Sequence, residues 1–261
     1  MQRLFVWVGL AFALAMAVPA HAQMTGNIER LKADLHGEDI ERAGAAASAL
    51  GSLKEPEARD ALMGALQLGA TPKLTSALIE AIGLHQSPKT LDLLRHFAGN
   101  RNAPIRAAAL KALGGIDQGQ VNRVLIASMG DSNPMVRATA ARLAAERNAR
   151  VAERTLFKML RRGDRSAAAP LGTVGGVETA KNLAELIGEI PDAALATAFG
   201  EMLKRKSFGP DPLRTEVVKA LGRIPGAEAT AALVEYVASV PAKEVRQSKK
   251  TAEKLLERRS Q

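Results

Sequence analysis

Arg147, Arg150, Arg154, Lys158 and Arg161 follow one another at steps of three, four, four and three. On an α-helix those steps bring side chains to one face, so the spacing predicts a row of five cations. Its chemistry would be electrostatic: an array of fixed positive charge that recruits an anionic ligand. The plain alternative is a solvated helix face, because lysine and arginine are good helix formers. A second candidate is the stretch "KRKSFGPDP" at 204–212. It sets Lys204, Arg205 and Phe208 beside rigid prolines, and an aromatic next to arginine is a common interface anchor. The alternative there is that Phe208 tucks under a bend as a local core residue. A further row, Arg246, Lys250, Lys254 and Arg258, runs at steps of four near the C-terminus.

These rows dominate the charge. The 261-residue chain is formally +9, and residues 137–165 alone carry nine basic and three acidic side chains. Bond-making chemistry is not signalled. There is no HExxH, no GxSxG, no P-loop and no GxGxxG after a strand. His36, His85 and His96 are scattered, with His85 expected to be exposed beyond a helix end and His96 near a helix C-terminus. Carboxylates nominate no acid–base pair. The expectation is therefore a protein that is not an enzyme, with no catalytic residues, no metal and no cofactor. The chain has no cysteine, which excludes disulfides, thiolate metal sites and a lipoprotein anchor.

The first 22 residues read as a cleavable leader. Arg3 precedes an apolar run from Leu4 to Val18, Pro19 breaks it, and Ala20-His21-Ala22 has small residues where signal peptidase reads. The run is short for a membrane span, which needs about 20 residues. Cleavage would leave a mature chain beginning at Gln23 with no transmembrane segment. The expected destination is a bacterial periplasm or the medium. After the leader, only Phe97, Phe157, Phe199, Phe208 and Tyr236 are aromatic. That supply is too small for one large globular core, and alanine and leucine suit close-packed helices instead. It also disfavours nucleic acid, which is stacked on aromatics.

What positions the cations is a repeat. In "APIRAAALKALGG", Arg106 is followed by Leu113 and Gly114; Arg214 stands so to Leu221 and Gly222, Thr75 to Ile82 and Gly83, and Ala43 to Leu50 and Gly51. Arg137 opens the same pattern without the glycine. Markers 43, 75, 106 and 137 are 32, 31 and 31 residues apart, a period that signals stacked helix pairs. Asn133 and Pro134 suit a helix start. The glycines after Leu50, Ile82 and Leu113 are expected to stop their helices in the left-handed conformation. The period weakens over about 163–212, where 49 residues separate markers 165 and 214 and an extra or lengthened helix is expected.

The carried motif of proline, apolar residue, arginine, alanines and leucine-glycine, clearest at 104–114 with Pro104 and Arg106 and at 134–144 with Pro134 and Arg137, and again at 212–222 with an altered start, resembles the HEAT-like repeat proteins, especially the short bacterial form seen in phycobilisome lyases. The resemblance implies an all-α fold, an armadillo-like α-solenoid of stacked antiparallel helix pairs over 37–240. A lead segment at 23–36 would precede it, and a charged capping helix at 241–261 would close it. It implies that an aspartate six residues before the arginine links neighbouring repeats. Asp131 and Arg137 match; Asn100 stands in the aspartate's place before Arg106, so the ladder should be partial. The paired His-Glu iron sites of HEAT-repeat hydroxylases are missing. The expected role is an exported scaffold presenting a curved surface to a protein partner. The alternatives are an electrostatic binder of anionic envelope polymers or lipids, and a non-catalytic subunit or lyase-like enzyme.

Overall fold

The computed structural model describes the backbone of residues 20–261 and the side chains from residue 25 onward. The leader expected at 1–22 lies outside the described residues, apart from the backbone of its last three. Among the described residues there are fifteen α-helices and no strand, only an isolated bridge between Ile187 and Ile190. The fold is the expected all-α solenoid.

Helix α1 (Ala20–Leu35) buries Ile28, Leu31 and Leu35 against α2 (Ile40–Ser52) and α3 (Pro56–Leu68), covering that end of the stack. From α2 onward the helices alternate between two layers. The first layer holds α2, α4 (Pro72–Leu84), α6 (Ala103–Gly114), α8 (Pro134–Glu146), α10 (Ala168–Val174), α12 (Asp192–Lys204) and α14 (Ala227–Ser239). The second holds α3, α5 (Leu91–Phe97), α7 (Gly119–Ser128), α9 (Glu153–Arg161), α11 (Val177–Glu185), α13 (Asp211–Arg223) and α15 (Gln247–Ser260). Short 3₁₀ turns, Pro88–Thr90, Arg150–Ala152 and Arg165–Ala167, lead into α5, α9 and α10.

The helix starts follow the sequence closely. Proline lies in the first turn of α3, α4, α6, α8 and α13, where its missing N–H costs no hydrogen bond. Asn133 Oδ1 accepts from the Met135 amide and caps α8, and Asp39 does the same for α2. The core is a continuous seam of alanine, leucine and isoleucine between the layers, with Leu50, Leu78, Ile82, Leu110 and Leu113 fully buried.

The glycines are the first correction. Gly51, Gly83 and Gly114 lie inside their helices, and none has positive φ. They permit close approach instead. A Cβ on Gly51 would meet the Ala81 Cα at 2.8 Å, and one on Gly83 would meet the Ala112 Cβ at 2.9 Å. At Gly114 it would meet the Leu143 Cδ2 at 2.7 Å, and at Gly222 the Leu255 Cδ1 at 2.8 Å. Each motif glycine is where the next helix of its own layer crosses.

The second correction concerns register. Residues 163–212 hold a complete pair, α10 and α11, and then a further first-layer helix, α12. This added helix puts α13, whose sequence has the first-helix motif around Arg214, into the second layer. The motif keeps its packing there, since α13 lies against α15 as closely as α4 lies against α6.

Candidate functional site

The marker arginines build a ladder between turns. Arg106 donates from Nε and Nη2 to the two carboxylate oxygens of Asp131, both at 2.7 Å, and from Nη1 to the Asn100 carbonyl at 2.9 Å. Arg137 repeats the arrangement one turn on: Nε donates to Asp164 at 2.7 Å, and Nη1 to the Asp131 carbonyl at 2.9 Å. The hydrogen bond from Arg106 holds the Asp131 carboxyl below the usual carboxylate range. Burial pushes Asp164 up, but hydrogen bonds from Ser166 and Arg137 outweigh it and hold its carboxyl low as well. The ladder is partial, as expected, because Thr75 and Ala43 replace the arginine in the first two turns. Asp164 was not anticipated. Six residues after it stands Pro170 rather than an arginine, so the motif is half erased, but Asp164 sits one turn beyond Asp131 and could have been found from that spacing. Arg214 has no carboxylate. Buried in the bend, it donates to the carbonyls of Leu203, Arg205, Lys206 and Gly209.

A second device joins helices two apart. Arg147, just past α8, reaches back to the end of α6 and donates to the carbonyls of Gly114, Ile116 and Gln118 at 2.8, 2.7 and 3.1 Å. Arg205, just past α12, donates to Gly172 and Gly175 at the end of α10. Arg259 of α15 donates to Leu221, Gly222 and Ile224 at the end of α13. The last carbonyls of a helix have acceptor capacity left over, and each arginine adds a donor to them from the neighbouring turn. His85 follows directly on α4, beyond the helix end as expected. It is half-buried rather than exposed, and that burial lowers its pKa.

These contacts redistribute the expected binding residues. Arg147 leaves the row, because its guanidinium is spent on backbone carbonyls. Arg150, Arg154, Lys158 and Arg161 stay exposed. They have no hydrogen bond or ion pair among the described residues. In the loop candidate Phe208 takes the alternative place, in the core. Phe208 is buried, with the Arg205 guanidinium 5.5 Å above its ring, and Lys204 pairs with Glu201 and Glu235 at 2.9 and 3.1 Å. Arg214 pulls this loop inward, which leaves it no anchor to offer. In the last helix, Lys250, Lys254 and Arg258 are exposed, and Arg246 pairs with Glu244.

Grooves open between second-layer helices. One of about 460 Å³ lies between α5 and α7, with Arg95 and Arg123 above Leu91, Ala98 and Val124. One of about 440 Å³ lies between α9 and α11 and takes in Arg150 and Arg154. One of about 560 Å³ lies between α11 and α13, with Lys181, Lys219 and Arg223 around Ala184, Leu213 and Val217. Each sets cationic side chains around apolar ones, and Glu153 and Glu178 line the second groove and Glu216 the third. Among the described residues no group of side chains could hold a metal ion, and no helix is long and apolar enough to cross a membrane.

Residues 28–114 match the family model for HEAT repeats. No curated protein matches the sequence. Among solved structures, the complex of CpcE and CpcF of phycocyanin lyase from Nostoc sp. is similar at 17% identity and a TM-score of 0.47, covering 88% of this chain and 94% of that one. Human deoxyhypusine hydroxylase in complex with glycerol is similar at 20% identity and a TM-score of 0.43, covering 92% and 100%.

Proposed function

We propose that this HEAT-like repeat solenoid is a binding scaffold that holds a protein partner against its second layer and catalyses nothing itself. One observation supports the reading: Arg150, Arg154, Lys158 and Arg161 form an exposed cationic row that no carboxylate neutralises, beside grooves with apolar floors. Other exposed lysines divide: Lys73 and Lys219 are matched by Glu41 and Glu216, whereas Lys111, Lys250 and Lys254 are not. The bonds between turns make the stack a prearranged support, so binding has little ordering cost on this side of the interface.

We also read the scaffold as exported, with the leader removed after Ala22, on the pattern of Arg3, the Leu4–Val18 run and Ala20-His21-Ala22. The test is cross-linking in a bacterial envelope extract at low and high salt. It compares the wild type with a variant in which Arg150, Arg154 and Lys158 are all glutamine. The reading expects a protein partner on the wild type and its loss on the variant. Salt-sensitive retention of an anionic polymer or lipid, with no protein, would favour the electrostatic alternative. Equal capture by both chains would move the binding surface elsewhere.

A further inference from the structure

We infer that the groove between α9 and α11 seats an acidic, partly apolar segment of the partner protein. Its carboxylates would meet Arg150 and Arg154, and one aliphatic or aromatic side chain would cover Val151 and Phe157. The inference rests on the scaffold reading and names the chemistry of its partner.

The argument is charge complementarity about an apolar centre. Arg150 and Arg154 are exposed and unpaired, and they line the groove together with Val151, Phe157 and Asn182. The acids of the same wall are already engaged. The Glu153 carboxylate accepts from the Gly176 amide at 3.1 Å and from the Thr179 hydroxyl. Glu178 faces Lys181 at 3.7 Å. The lining is formally balanced, two arginines against two glutamates, but both guanidiniums are free of ion pairs and continue into Lys158 and Arg161 of the same exposed row, so the rim is where unpaired positive charge is available.

The apolar part selects among anions. Val151 is 70% exposed between two guanidinium-bearing residues, and Phe157 is half-buried in the same recess. An acidic polysaccharide would satisfy the arginines and leave Val151 in water. A bilayer surface is too flat to follow a recess of about 440 Å³. A peptide with acidic residues on either side of a leucine or phenylalanine satisfies both requirements, as interfaces commonly do with an apolar centre and a polar rim.

The experiment is selection from a random twelve-residue peptide library displayed on phage, panned on the full chain. The expected winners carry aspartate or glutamate on both sides of an apolar residue. A synthetic winner should bind about tenfold more weakly to the R150Q/R154Q variant, as loss of two rim charges implies, and equally well to K219Q/R223Q. Val151→Asp should weaken it too. Circular dichroism should show all three variants folded. Neutral or basic winners, indifference to R150Q/R154Q, or displacement by phosphatidylglycerol vesicles would overturn the inference. Acidic winners that depend on Lys219 and Arg223 would move the seat to the neighbouring groove and leave the scaffold reading standing. No selected peptide, together with no cross-linked protein, would remove both.

Discussion

Alanine at Gly44 and at Gly51 should change stability in opposite directions, although both residues lie in α2. Gly44 is in the middle of the helix and a Cβ there meets no atom within 4 Å. Relative to glycine, alanine in a helix interior gains about 0.8–1 kcal/mol from backbone entropy, so Gly44→Ala should stabilise by about that much. Gly51 lies in the last turn, where the gain is smaller. Its added Cβ would sit 2.8 Å from the Ala81 Cα and 3.0 Å from the Ala81 carbonyl oxygen, backbone atoms that cannot swing away. Restoring a contact of about 3.6 Å means parting α2 from α4 by about 0.8 Å. That loosens the seam containing Ala47, Leu50, Leu78 and Ile82, all fully buried. Overpacking of this kind costs about 1–3 kcal/mol. The two variants should therefore differ by about 2–3 kcal/mol, or roughly 5–10 °C in melting temperature for a chain of this size. Thermal melts followed by circular dichroism, with urea midpoints as a second measure, would test it. Gly114→Ala should fall between them, because the contact at 2.7 Å is with a Leu143 methyl that can rotate. If Gly51→Ala melts at or above wild type, close approach is not why glycine stands there.

Three other outcomes follow from the geometry. Arg147→Gln should cost about 2 kcal/mol in urea unfolding, because it removes three charge-assisted hydrogen bonds to carbonyls, whereas Arg150→Gln should stay within about 0.5 kcal/mol; equal effects would contradict the separation of these two residues. Asp131 and Asp164 have folded pKa values below their unfolded ones, so their contribution is fully present above about pH 4 and is lost as pH falls through the depressed values; the acid unfolding midpoint of Asp131→Asn should lie closer to neutral than that of wild type, and an unmoved midpoint would show that the ladder does not set acid stability. N-terminal sequencing of the exported protein should begin at Gln23, and recovery of Met1 in a membrane fraction would remove the leader reading.

The helix-pair architecture was legible because it depends on local chemistry repeated at a fixed period. Proline at helix starts, Asn133 as a cap, alanine and leucine at helical spacing, and the partial arginine–aspartate ladder all act within a turn or between adjacent turns, and all appear in the structure in those roles. The extra helix was legible only as the surplus of residues between markers 165 and 214. Its consequence, the exchange of layers by α13, was not. A motif specifies what a helix packs against, while its layer depends on how many helices precede it.

The candidate site divides along the same line. Helical spacing put Arg147 and Arg150 in one row, but a chain reversal ends α8 at Glu146 and turns Arg147 back to carbonyls about thirty positions earlier in the chain. The same long reach employs Arg205 and Arg259, and no spacing rule connects an arginine to the end of a helix two elements away. The motif glycines were misread for a related reason. Their position at helix ends suggested a cap, which is a property of one helix, when their function is to admit a second. Sequence determined which surfaces each helix would bury and how it would begin; tertiary structure decided which cations remained free, because a guanidinium is available to a partner only after the fold's own carbonyls and carboxylates have been satisfied.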